Sequence, residues 1–174
     1  MATEAAENPS GRVSTVFRRP AERQGAYDFL ESKHVAPDAI LAAATDATAR
    51  RAAQFPFVFV PLDGTSLTLT DLARAKDFGS VGARARGARG LKVIDAVAVA
   101  PDGTPLGIAA MKWWARGARP ARNRYARSTA EKESQHWLDA IDATSMALGR
   151  EAPVTRAWFQ IDRRATARAP SAPR

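Results

Sequence analysis

The sequence predicts an α/β chain: a mixed sheet in the order strand, strand, strand, helix, strand, preceded by a small helical region. Three observations predict it. Apolar runs punctuated by Gly, Pro and Asp fill residues 55–114, one long stretch of helical periodicity follows, and a last apolar run closes the pattern at residues 155–161. The chain has 174 residues, 45% of them hydrophobic, enough for one modest core or a domain with an appendage. It has no cysteine and only His34 and His136 as histidines, which excludes a disulfide framework, a thiolate metal centre and a histidine cage. The opening Met1-Ala2-Thr3-Glu4-Ala5-Ala6-Glu7 lacks the basic and apolar parts of a secretory signal. No apolar run reaches the ~18 residues of a membrane span, so a soluble cytoplasmic protein without a membrane partner is expected.

Residues 1–19 are polar and aperiodic and read as a disordered segment. A first helix is expected over residues 20–32, with Ala26, Tyr27, Phe29 and Leu30 as its apolar positions. A second opens at Ala36-Pro37-Asp38, with proline in the first turn, and runs through Ile40 and Leu41 to about residue 53. Phe57-Val58-Phe59-Val60-Pro61-Leu62 reads as a buried strand ending at the turn signal Asp63-Gly64. Residues 91–99 form the second strand, Pro101-Asp102-Gly103-Thr104-Pro105 the turn, and residues 106–114 the return strand of a hairpin. A helix is expected over residues 131–148, with Trp137, Ile141, Thr144 and Leu148 on one face and Gly149 as its C-terminal cap. Residues 155–161 are the last strand, and residues 163–174 are a low-complexity basic tail.

The formal charge of +8 is unevenly spread. Residues 1–78 carry 9 basic and 10 acidic side chains, residues 79–130 carry 10 and 2, and residues 131–174 carry 7 and 6. All the net charge therefore lies in the middle third, as a phosphate-backbone partner requires; a solvated Arg-rich surface loop has the same composition.

A right-handed crossover through the long helix places the last strand parallel to an earlier one. If that neighbour is the first strand, Asp63 and Asp162 stand side by side at the sheet edge, in a ribonuclease-H-like arrangement. Two such aspartates repel unless a cation lies between them, and Mg²⁺ or Mn²⁺ suits such oxygen ligands. Taken alone, Asp63 reads first as a turn residue and Asp162 as a strand end.

Several motifs in order resemble bacterial DDE-class cut-and-paste insertion-sequence transposases. They are Gln24-Gly25-Ala26-Tyr27-Asp28-Phe29-Leu30 with His34-Val35-Ala36-Pro37-Asp38-Ala39-Ile40, then Leu62-Asp63-Gly64-Thr65-Ser66-Leu67, and then Phe78-Gly79-Ser80. Lys112-Trp113-Trp114-Ala115-Arg116, Glu131-Lys132-Glu133-Ser134-Gln135-His136-Trp137-Leu138 and Ile161-Asp162-Arg163 complete the series. The resemblance spans residues 20–163. It implies a helical DNA-binding-type region over residues 20–54 and the N-terminal half of a ribonuclease-H-like catalytic domain over residues 55–162. Asp63 and Asp162 become catalytic carboxylates and ligands of Mg²⁺ or Mn²⁺, and the partner becomes the double-stranded DNA of transposon ends, in a bacterial, nucleoid-associated setting. Arg84, Arg86, Arg89, Lys92, Lys112, Arg116, Arg119, Arg122, Arg124 and Arg127 then read as phosphate contacts. Trp113 or Trp114 can stack on an extruded base, but adjacent strand residues face opposite ways, so one of the two packs in the core; Trp114 is counted with the basic residues as the DNA contact.

Departures from the family pattern shape the expected activity. Gly64 stands where the family has Thr, which reads as a mild change. Arg164 and Thr166 stand where it has Glu and Asp, and the family's catalytic glutamate lies farther downstream. A truncated reading frame is expected, acting as a transposase fragment or as a non-catalytic DNA-binding inhibitor. Such a chain would pair as a homodimer on DNA or as a heterodimer with an intact transposase. Lacking later elements, its half-sheet would leave one apolar face open.

Overall fold

A computed structural model describes residues 2–71, 76–81, 87–117 and 133–161. The chain divides into two compact units, residues 1–40 and 41–174.

In the first unit, residues 1–19, read from the sequence as disordered, carry two short helices, α1 (Ala2–Glu7) and α2 (Val13–Val16). The reason is local: Val13, Val16 and Phe17 recur at helical spacing. Val16 and Phe17 are buried with Ala26 of α3 (Pro20–Glu31), and Val13 packs against them. Proline in the first turn starts α4 (Pro37–Ala52) as expected, which continues into the second unit, and Pro20 does the same for α3.

The second unit is built on a five-stranded mixed sheet of β1 (Phe57–Thr68), β2 (Gly79–Ser80), β3 (Arg89–Val99), β4 (Pro105–Trp114) and β5 (Arg156–Ile161). β1 is central: β3 pairs with it antiparallel on one side and β5 parallel on the other. β4 and the short β2 pair antiparallel with β3. The hairpin turn between β3 and β4 is held by Gly103, whose φ of 90° suits glycine, and by Asp102 Oδ1 accepting from the Thr104 amide at 2.9 Å. That bond holds the Asp102 carboxyl below its ordinary value.

The crossover from β4 to β5 carries α5 (Gln135–Glu151). Its Ala140, Thr144, Ala147 and Leu148 are buried, over a sheet face made by Val58, Val60 and Leu62 of β1, Ile94, Ala96 and Ala98 of β3, and Ala109 and Ala110 of β4. Ala49 and Ala52 of α4 join the same core. Small residues on every element let the backbones approach closely. At Gly107, with φ of 136°, an added Cβ would lie 2.5 Å from Thr48 Oγ1. Arg51 Nε donates to the Leu106 carbonyl at 2.6 Å and clasps α4 to the start of β4.

Several boundaries differ from the sequence reading. α5 starts at Gln135, with Glu133 and Ser134 in a turn ahead of it, where the sequence predicts a helix from residue 131. β1 runs on through Asp63 and Gly64 to Thr68, because β3 supplies a partner for each residue from Leu62 to Thr68. α5 passes through Gly149 to Glu151, where Arg150 pairs with Asp46 at 2.7 Å and Glu151 with Arg50 at 3.5 Å. These cross-helix pairs hold the last turn against α4, so Gly149 is not a cap.

Candidate functional site

Strand alternation gives the sheet two faces. Val58, Val60, Leu62 and Gly64 face α5, so Phe57, Phe59, Pro61 and Asp63 face the other way. On that open face Asp63 is exposed, and its Oδ1 accepts from the Gly64 amide at 2.8 Å. Directly across the antiparallel ladder stands Asp95 of β3, half-buried between Ile94 and Ala96, both of which point into the core. Opposed residues of such a pair hold their Cβ atoms about 5 Å apart, where like charges repel. Neither carboxylate has an ion pair among the described residues.

Two adjacent carboxylates of this kind fit a hard, partly hydrated divalent ion, which needs only one or two protein carboxylates and fills its shell with water or phosphate oxygen. No group of three or more His, Asp or Glu side chains arranged to hold a metal occurs among the described residues.

The expected neighbour of Asp63, Asp162, lies outside the described residues. The strand pairing expected beneath it is present: β5 runs parallel to β1, and Ile161 is paired with Leu62, each the residue just before an aspartate. Asp95 was missed by sequence reasoning. Its signal was one acidic residue inside the apolar run of residues 91–99, in a 52-residue segment with only one other acid.

The basic residues divide by face. Lys92, Lys112 and Trp114 share the α5 side of the sheet, opposite Asp63, since Lys112 is paired with Ile94 and Trp114 with Lys92. Lys92 Nζ donates to Ser66 Oγ at 2.6 Å, and Lys112 Nζ is 3.7 Å from Asp139 Oδ2. Arg116 grips Glu133 with two parallel bonds, Nε to Oε1 and Nη2 to Oε2, the latter 2.6 Å. This fork raises the Arg116 guanidinium above its ordinary value, and the same bond draws the Glu133 carboxyl down, helped by the nearby charge of Lys92. Asp139 is lowered chiefly by the amide of Gln135, then by His136 and Lys112. Arg89 is exposed in the β2–β3 ladder. Arg84, Arg86, Arg119, Arg122, Arg124 and Arg127 lie outside the described residues.

The two tryptophans at the end of β4 do face opposite ways. Trp114 packs against the core, with its ring centroid 4.2 Å from that of His136. The expected DNA contact, Trp114, is thus the one packed inward, because its register position lies on the α5 side; Trp113, paired with Val93, is 52% exposed on the Asp63 side.

Gly64 lies where a side chain would meet the crossover helix. Trp137 of α5 lies over it, and a Cβ added at Gly64 would fall 2.7 Å from Trp137 Cζ2. The backbone next to Asp63 is thus in direct contact with the crossover helix. No protein-family model matches this chain.

Proposed function

We propose that this chain is part of a DDE-class cut-and-paste DNA transposase, that its sheet is the N-terminal half of a ribonuclease-H-like catalytic domain, and that Asp63 and Asp162 are ligands of Mg²⁺ or Mn²⁺. The observation that carries the reading is the place of Asp63. It stands on the central strand, antiparallel to one neighbour and parallel to the other, with Ile161 beside Leu62. Asp63 and Asp162 would hold a divalent ion, which would supply Lewis-acid activation for phosphodiester cleavage and strand transfer. Asp95 adds a second carboxylate at the same level of the sheet. Trp113 offers a flat apolar surface on the same side for an unstacked base. The concentration of charge in residues 79–130 supports a phosphate-backbone partner, the duplex of transposon ends. No helix among the described residues is long and apolar enough to cross a membrane, in keeping with a cytoplasmic, nucleoid-associated protein.

The test is a mobility-shift titration on transposon-end duplex at several salt concentrations, with a nicking assay in Mn²⁺. Binding is expected to weaken steeply with salt, and to be lost when Arg119, Arg122 and Arg124 are neutralised. Little or no nicking is expected, which would mark a non-catalytic fragment that occupies transposon ends or inhibits an intact enzyme. Efficient nicking abolished by Asp63→Ala would make the chain an enzyme in its own right. No duplex binding even at low salt would overturn the reading.

A further inference from the structure

The two edges of the sheet are built differently. β4 is defended: it starts at Pro105, its register with β3 shifts twice around Gly107, Arg51 occupies the Leu106 carbonyl, and Lys112 stands near its end. These are the usual devices against strand addition. β5 has fewer of them, with Arg156 at its start as its one charged residue. Its six residues contain neither Pro nor Lys, its register with β1 is unbroken, and its outer side pairs with no strand among the described residues.

The direction of its free groups can be derived. The Arg156 amide donates to the Pro56 carbonyl at 3.0 Å, so it points toward β1. By alternation the amides of Trp158 and Gln160 do the same, while the amides and carbonyls of Ala157, Phe159 and Ile161 point outward. Beside this edge, on the open face, lies an aromatic cluster. Phe57 stacks on Trp158 with ring centroids 5.0 Å apart, Phe59 meets both edge-on, and Trp158 is 55% exposed.

We propose that the β5 edge is a dimerisation surface and that its occupant is β5 of a second copy of this chain, paired antiparallel about a two-fold axis through Phe159. The strand is self-complementary in that register. Ala157 pairs with the partner's Ile161, Phe159 with the partner's Phe159, and all the outward amides and carbonyls of these residues find partners. On the open face Trp158 stands opposite the partner's Gln160, with the partner's Trp158 its diagonal neighbour about 7–8 Å away, within reach of an indole. No charged side chain opposes a like charge. Two-fold pairing also consumes both free edges, so assembly stops at the dimer. Each copy carries a formal charge of +8, so added salt tightens the dimer, the opposite of its effect on DNA binding.

Sedimentation equilibrium of the full chain at tens of micromolar tests this. A mass of twice 18.7 kDa is expected, and Ala157→Pro, which removes an outward amide, should return it to 18.7 kDa. Because the chain has no cysteine, Trp158→Cys and Gln160→Cys make clean reporters. A disulfide-linked dimer should form when the two variants are mixed, and little should form from either alone. A wild-type chain at monomer mass throughout overturns the proposal. So does a dimer that persists in a folded Ala157→Pro variant, or one that gives no disulfide in the mixture. If Ala157→Pro proves unfolded by circular dichroism, the cysteine pair decides.

Discussion

Replacing Gly64 with alanine sets two effects of opposite sign against each other. Removing a glycine from a strand interior reduces the freedom of the unfolded chain, a gain of about 0.5–1 kcal/mol. The new methyl carbon would lie 2.7 Å from Trp137 Cζ2 and 3.2 Å from Cη2, where carbon atoms prefer about 3.5–4.0 Å. The indole must move by roughly an ångström, yet it is partly buried and packed against the core. Overpacking of this kind costs about 1–3 kcal/mol, so a net loss of about 1–2 kcal/mol is expected. For a chain of this length that lowers Tm by about 2–8 °C. Thermal unfolding followed by circular dichroism measures it. In a Trp137→Ala background the same substitution should be neutral or mildly stabilising, so a double-mutant cycle should return a coupling of about 1–3 kcal/mol. If Gly64→Ala keeps or raises the wild-type Tm while Trp137 is present, the contact does not constrain the backbone beside Asp63.

The Asp95→Asn substitution should stabilise the metal-free protein by about 0.2–1 kcal/mol, since it removes the like charge opposite Asp63, and should weaken Mn²⁺ binding; urea midpoints and a Mn²⁺ titration read the two effects. A stability loss with unchanged Mn²⁺ affinity would contradict the pairing. The Glu133 carboxyl is depressed in the folded state by Arg116, so its contribution is present above the ordinary carboxylate range and is lost as pH falls through its lowered value. Glu133→Gln should therefore lower Tm in the neutral region and converge with the wild type at low pH, which flattens the acid limb of a Tm-against-pH curve; an identical curve would show that the Arg116 fork adds nothing.

Much of this fold is written locally. Proline at the first turn marks α3 and α4, the Pro-Asp-Gly-Thr-Pro turn fixes the hairpin, and the apolar face of α5 follows from its periodicity. The handedness of crossovers makes β5 parallel to an earlier strand, and the pairing itself makes that strand β1. What stayed hidden depends on partners distant in sequence. Asp63-Gly64 is a strong turn signal by itself, and only the length of β3 and the space beneath Trp137 carry the strand through it. Asp95 faces Asp63 because of sheet register, which no local window specifies. Gly149 looks like a helix stop until Arg150 and Glu151 find their partners on α4. Which of Trp113 and Trp114 is buried depended on register in the same way, although alternation alone required that they differ.

The central strand receives its two neighbours at very different times during synthesis. β3 follows β1 closely, whereas Thr155, at the threshold of β5, bonds a carbonyl 103 positions earlier, at Ala52. At about 5–20 residues per second, a ribosome needs roughly 5–20 s to traverse that distance. Through that interval the nascent chain presents the flank of β1 that β5 will later cover, with Phe57, Val58 and Phe59 along it. Closing so large a loop is also slow after release, because its entropy is lost before the parallel ladder forms. The hazardous moment therefore comes before β5 has been made, and a chaperone that shields β1 should raise the yield of folded chain more than one that acts after β5 has paired.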